Sequence, residues 1–202
     1  MNSVFSLQFN NCCVDRGLQA FFARSIMKDV ELFNAPSLPQ PLRIPVQILH
    51  VRDFEAHKRT ASLPEIRKVD SYAYSDSQIY VLAYPHLEGK IYRVDYLKMI
   101  RHECIHILQH LVSRVPPNDM IWLYESVACA IAKQHTKKLF EPPDWFTFSN
   151  DFYSIPHCYE VAYIFGKALL EAFPLSDLIA LSRRKRECCR VSEKIYKWVF
   201  SK

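Results

Sequence analysis

The chain has 202 residues and a net charge of +5, with half of its residues apolar and 23% charged. That is enough chain to bury a sizeable core, and too mild a charge for a dedicated nucleic-acid binder. No apolar run approaches the length of a membrane span. The seven Cys are an odd number, include the adjacent pairs Cys12-Cys13 and Cys188-Cys189, and show no CxxC spacing in either pair. Reduced thiols are therefore expected, rather than a disulfide framework or a cysteine zinc site. Residues 1–10 lack a basic start, a long apolar run and a small-residue cleavage site, so a cytoplasmic protein is expected.

Three Gly against twelve Pro point to helices with sharply stopped ends rather than to many hairpins. Residues 14–33 read as an amphipathic helix, since Leu18, Phe21, Phe22, Ile26, Val30 and Phe33 recur at three- and four-residue steps. Pro36, Pro39 and Pro41 form a stiff connector, and 44–51 reads as a strand with Pro45 near its start. A short helix and loop are expected over 54–68. Two strands, 72–74 and 79–84, follow around the polar turn Ser75-Asp76-Ser77-Gln78. A long helix then begins near Tyr92, carries Leu97, Ile100, Cys104, Leu108 and Leu111 on one stripe, and stops at Pro116-Pro117. Asn118 and Asp119 are candidate caps for a helix over 121–135, rich in small residues. The aromatic stretch 145–153 reads as a loop, and helices are expected over 157–172, 175–186 and 191–200. Arg183-Arg184-Lys185-Arg186 reads as a solvated helix end.

The expected architecture is α+β in one domain. A lobe over 1–114 holds a small sheet and ends in the long helix; an all-helical lobe covers 115–202. The long helix carries His102-Glu103-Cys104-Ile105-His106. Histidines four apart stand one above the other on a helix face, where both can hold a single Zn²⁺. Glu103, between them, is placed to exchange a proton with a water rather than to ligate. A catalytic zinc wants three protein ligands and an open position. Glu125, on the next helix beside Trp122 and Val127, is the natural third, with Asp119 the next candidate. His110 continues the series by one turn and is expected at the surface. Cys104 is expected in the core.

His102-Glu103-Cys104-Ile105-His106, eighteen intervening residues and Glu125 resemble the gluzincin metallopeptidases. The wording Trp122-Leu123-Tyr124-Glu125-Ser126-Val127-Ala128 is closer to the small peptidase-MA-like domains, with Ser126 where Gly is common. The resemblance covers about residue 72 to the end. It implies a zincin-like fold, one zinc per chain on His102, His106 and Glu125, and peptide hydrolysis with Glu103 as general base. It also implies a tyrosine hydroxyl, Tyr159 or Tyr163, aimed at the oxyanion. The G-x-M-E-N strand of aminopeptidases is absent, which favours endopeptidase action. In that family the strand before the active-site helix pairs with an extended substrate, and 79–84 is the candidate for that edge. His102 to His110 also resembles the HExxHxxxH metallopeptidases that cleave phage-type repressors. A binding protein that keeps the zincin fold is the remaining class, and the intact Glu103 favours an enzyme over it. The expected partner is a peptide or protein substrate, with neither nucleic acid nor membrane.

Overall fold

The alternation and helical periods resolve into an α+β fold in a computed structural model of the chain. It describes residues 5–10, 16–33, 42–60, 71–73, 78–83, 93–113, 120–134 and 140–201. The proline connector over 34–41, the turn residues Ser75, Asp76 and Ser77, and the caps Asn118 and Asp119 lie outside these. The chain divides into two units, Met1–Glu31 with Leu38–Ile107, and Leu32–Ser37 with Leu108–Lys202. Among the described residues no helix is long and apolar enough to cross a membrane.

The first unit is built on a four-stranded sheet of order β1-β2-β4-β3. β1 (Phe5–Asn10), β2 (Leu42–Leu49) and β4 (Ile79–Leu82) are parallel, and β3 (Ser71–Ala73) runs antiparallel to β4. Parallel neighbours need long crossovers. α1 (Arg16–Phe33) lies between β1 and β2 in sequence, and α2 (Val51–Thr60) follows β2 directly. Leu42, Ile44, Val46 and Ile48 of β2 are buried in strict alternation, as a strand requires. All four residues of β4 are buried, the mark of a strand with neighbours on both edges and cover on both faces. Pro45 is tolerated because β4 pairs with β2 only from Val46 onward, so Pro45 has a strand partner on the β1 side alone.

Two expectations fail here. β4 is interior, lying between β2 and β3, so 79–82 is not an edge strand; among the described residues the edges are β1 and β3. β1 falls in a stretch where no element was expected, although Phe5, Leu7 and Phe9 alternate with polar residues as a strand does.

α3 (Arg93–Ser113) runs unbroken across the boundary between Ile107 and Leu108. Within the first unit three residue pairs fix its orientation. Tyr96 donates to the Leu82 carbonyl of β4 at 3.0 Å. Arg101 grips Asp29 of α1 with two bonds of 2.7 and 2.6 Å. Ser71 of β3 donates to Glu103 at 2.8 Å.

The second unit is helical: α4 (Ile121–Ala132), α5 (Trp145–Asn150), a 3-10 turn at Phe152–Ser154, α6 (Cys158–Ala172), α7 (Leu175–Ser182) and α8 (Lys185–Phe200). The aromatic stretch is thus helical where a loop was expected. Asp144 caps α5, accepting from the Thr147 backbone N–H at 3.0 Å and its hydroxyl at 2.8 Å. Trp145 and Phe148 then meet Phe165 and Tyr196 at ring separations of 4.9 to 6.0 Å. α4 and α6 approach closely because Gly166 has no side chain: a Cβ there would collide with the Ser126 carbonyl oxygen. α8 begins at Lys185 rather than Val191. A turn from Leu181 to Arg184 breaks the chain, and Arg183 is drawn to the Val112 carbonyl at the end of α3.

Candidate functional site

Helix periodicity puts His102 and His106 one turn apart on α3, and their Nε2 atoms lie 2.8 Å apart with the rings nearly perpendicular. His102 is buried, and His106 is half-buried. Two imidazole nitrogens this close either share one proton or point at one cation. Tetrahedral bonds of about 2.05 Å to zinc separate two nitrogens by about 3.3 Å. The pair therefore needs to open by roughly 0.5 Å to hold such an ion, a side-chain adjustment within one rotamer well. The histidines fit a metal.

Glu103 is buried, and its Oε1 accepts the Ser71 hydroxyl. A buried carboxylate needs such a partner. The Ser71 bond helps to hold the carboxylate in one orientation. Arg101, one residue before the motif, locks α3 through Asp29, which is only 2% exposed. Burial pushes the Asp29 carboxyl up and Arg101 pulls it back. Cys104 is fully buried; burial, then Asp29 and Glu103, push its thiol well up, so it packs and does not react. His110 is exposed, as expected for a residue outside the ligand set.

In the second unit Glu125 is buried on α4, and Tyr153 of the 3-10 turn donates to its Oε1 at 2.6 Å. Cys129, one turn along the same helix, is also fully buried. The Cys158 thiol is pushed up to about 12 by burial and then by the Glu125 charge. Tyr124, adjacent to Glu125, is held from the last turns of α3: Gln109 donates to its carbonyl at 3.1 Å, and its hydroxyl bonds the Ser113 hydroxyl. Burial raises the Tyr124 phenol, with Ser113 pulling it back.

Tyr159 and Tyr163 lie half-buried on α6, and Tyr159 meets Phe152 edge-on at 6.0 Å. Asp119, the other candidate ligand, is outside the described residues. Two residues of the site escaped the sequence reading. Ser71 and Tyr153 touch the two carboxylates, yet neither shares a spacing pattern with its partner. Cys104, Cys129, Cys158, Cys188 and Cys189 are not in disulfides, and Cys12 and Cys13 are outside the described residues. No family model, no curated protein and no solved structure matches the chain.

Proposed function

We propose that the chain is a zinc-dependent peptidase of zincin-like, gluzincin-type construction, with His102, His106 and Glu125 as ligands and Glu103 as general base. The observation that carries the reading is Glu103 itself. Between two histidines whose Nε2 atoms converge, the chain carries a buried carboxylate that accepts the Ser71 hydroxyl. A purely structural metal site has no use for such a group.

The donor set of two imidazoles and a carboxylate suits zinc. α3 carries His102 and His106 on the stripe that continues, three and seven residues beyond His106, to Gln109 and Ser113. Both of these hold Tyr124, the neighbour of Glu125. The spacing of eighteen residues between His106 and Glu125 supports Glu125 as the third ligand, and Tyr153 would orient its carboxylate.

When bound, the metal brings the pKa of a coordinated water to about 7. Glu103 takes the proton of the attacking water and returns it to the leaving amine. Tyr159 or Tyr163 donates to the oxyanion. An extended peptide pairs with the outer edge of β3, whose Ser71 already touches Glu103, so backbone pairing would bring the scissile bond beside the base. Pairing of this kind reads an extended segment rather than a free terminus, and supports endopeptidase action. The test is Glu103→Gln against wild type on a peptide library, with metal content measured on both. Unchanged metal and loss of nearly all turnover support the reading; wild-type turnover in the variant rejects it.

A further inference from the structure

α8 carries a charge pattern that neither the fold nor the proposed chemistry uses. Residues 183–200 hold seven cations against two carboxylates, a surplus equal to the +5 of the whole chain. Arg184 caps α8, and Lys185 and Arg186 open it, at the end where the helix dipole repels positive charge. Glu187 pairs with Arg184 at 2.7 Å and Glu193 with Lys197 at 2.6 Å. Among the described residues Arg186, Arg190 and Lys194 have no ion pair. All three are exposed and recur every four residues, so they form one row along the helix, joined by Lys197. Four residues past Lys194, at the end of that row, Trp198 is 62% exposed. The opposite face is already taken: Cys188, Ser192 and Tyr196 are buried within the second unit.

We propose that this basic face, ended by Trp198, docks the protein on an anionic lipid bilayer. The complementarity is of charge and of shape: a straight row along a helix about 24 Å long matches a flat sheet of phosphates and carboxylates. Base stacking on a nucleic acid calls for aromatics spaced along the basic row. Here the one exposed aromatic of α8 stands at the end of the row, where an indole enters the headgroup region while the cations stay with the lipid anions. The surface is peripheral and departs from the sequence expectation of no membrane partner. It is independent of the metal reading.

The test is flotation of the full chain with phosphatidylcholine vesicles, with and without phosphatidylserine, at low and raised salt. Trp198 is the exposed one of three tryptophans, so indole fluorescence reports its burial. Binding is expected only with phosphatidylserine, with a blue shift, and weaker at raised salt. Replacing Arg186, Arg190 and Lys194 together by Gln should weaken it about a hundredfold. Trp198→Ala should abolish the blue shift and keep the salt dependence. Absence of binding, equal binding to phosphatidylcholine alone, an unaffected triple variant, or tighter binding to an RNA or DNA duplex in the same buffer would overturn the proposal.

Discussion

Replacing Arg101 by Met should be among the most destabilising changes outside the apolar core. Arg101 supplies both bonds to Asp29, at 2.7 and 2.6 Å, and Asp29 is 2% exposed. Without the guanidinium a buried charge has lost its partner, a change that costs about 3–5 kcal/mol. The pH dependence follows from the raised Asp29 carboxyl, usually at 3.8. The folded chain keeps a proton on Asp29 at pH values where the unfolded chain has released it. Stability contributed by this group is therefore largest at low pH and falls as pH rises from about 4 through the folded pKa. Losing Arg101 removes the hydrogen bond and the charge that lower this pKa, so the window widens and the penalty is larger at pH 7.5 than at pH 4.5. The double variant Asp29→Leu/Arg101→Met has no charge left to strand and should lie within about 1 kcal/mol of wild type. Urea unfolding followed by far-UV circular dichroism at the two pH values measures all three proteins. A single variant within 1 kcal/mol of wild type at pH 7.5, or a double variant as unstable as the single, would refute the argument.

Gly166→Ala sets a Cβ against the Ser126 backbone carbonyl, which cannot rotate away. It should cost at least the ~1–3 kcal/mol of core overpacking, read as a lower urea midpoint. Ser71→Ala should lower turnover by about tenfold to a hundredfold, the worth of one hydrogen bond to a charged group, with metal content unchanged. Loss of metal in that variant would mean that Ser71 supports the ligands rather than Glu103. Tyr153→Phe should weaken metal affinity about 10–100-fold, as loss of a ligand's orienting partner does, and competition with a chelator measures it.

Much of α3 was legible because one apolar stripe ran through Leu97, Ile100, Cys104 and Leu108, and helical spacing then fixed His102 and His106 on one face. The alternation of Phe5, Leu7 and Phe9 also carried the signal for β1, in a stretch too short to stand out. Strand order is a different matter. That 79–82 sits inside the sheet depends on parallel pairing with β2, thirty or so residues away, and no local pattern encodes it. The cap of α5 was readable in Asp144 and Thr147, but the aromatic density that follows looks equally like a surface loop. The break before α8 has no Gly or Pro to mark it. Ser71 and Tyr153 are the instructive omissions. Each meets its carboxylate across 32 and 28 residues of chain, so only tertiary folding brings them together.

The most direct test is X-ray absorption at the zinc edge on the loaded wild-type protein, alongside metal stoichiometry. One zinc per chain is expected, bound only by nitrogen and oxygen at about 2.0–2.2 Å, with the scattering pattern of two imidazoles. Glu125→Ala should lose one oxygen from that shell. A chain that takes up no zinc, or a sulfur shell at about 2.3 Å, would contradict the account. The sulfur shell would give the third position to a thiolate, for which Cys129, one turn beyond Glu125 on α4, is the first candidate.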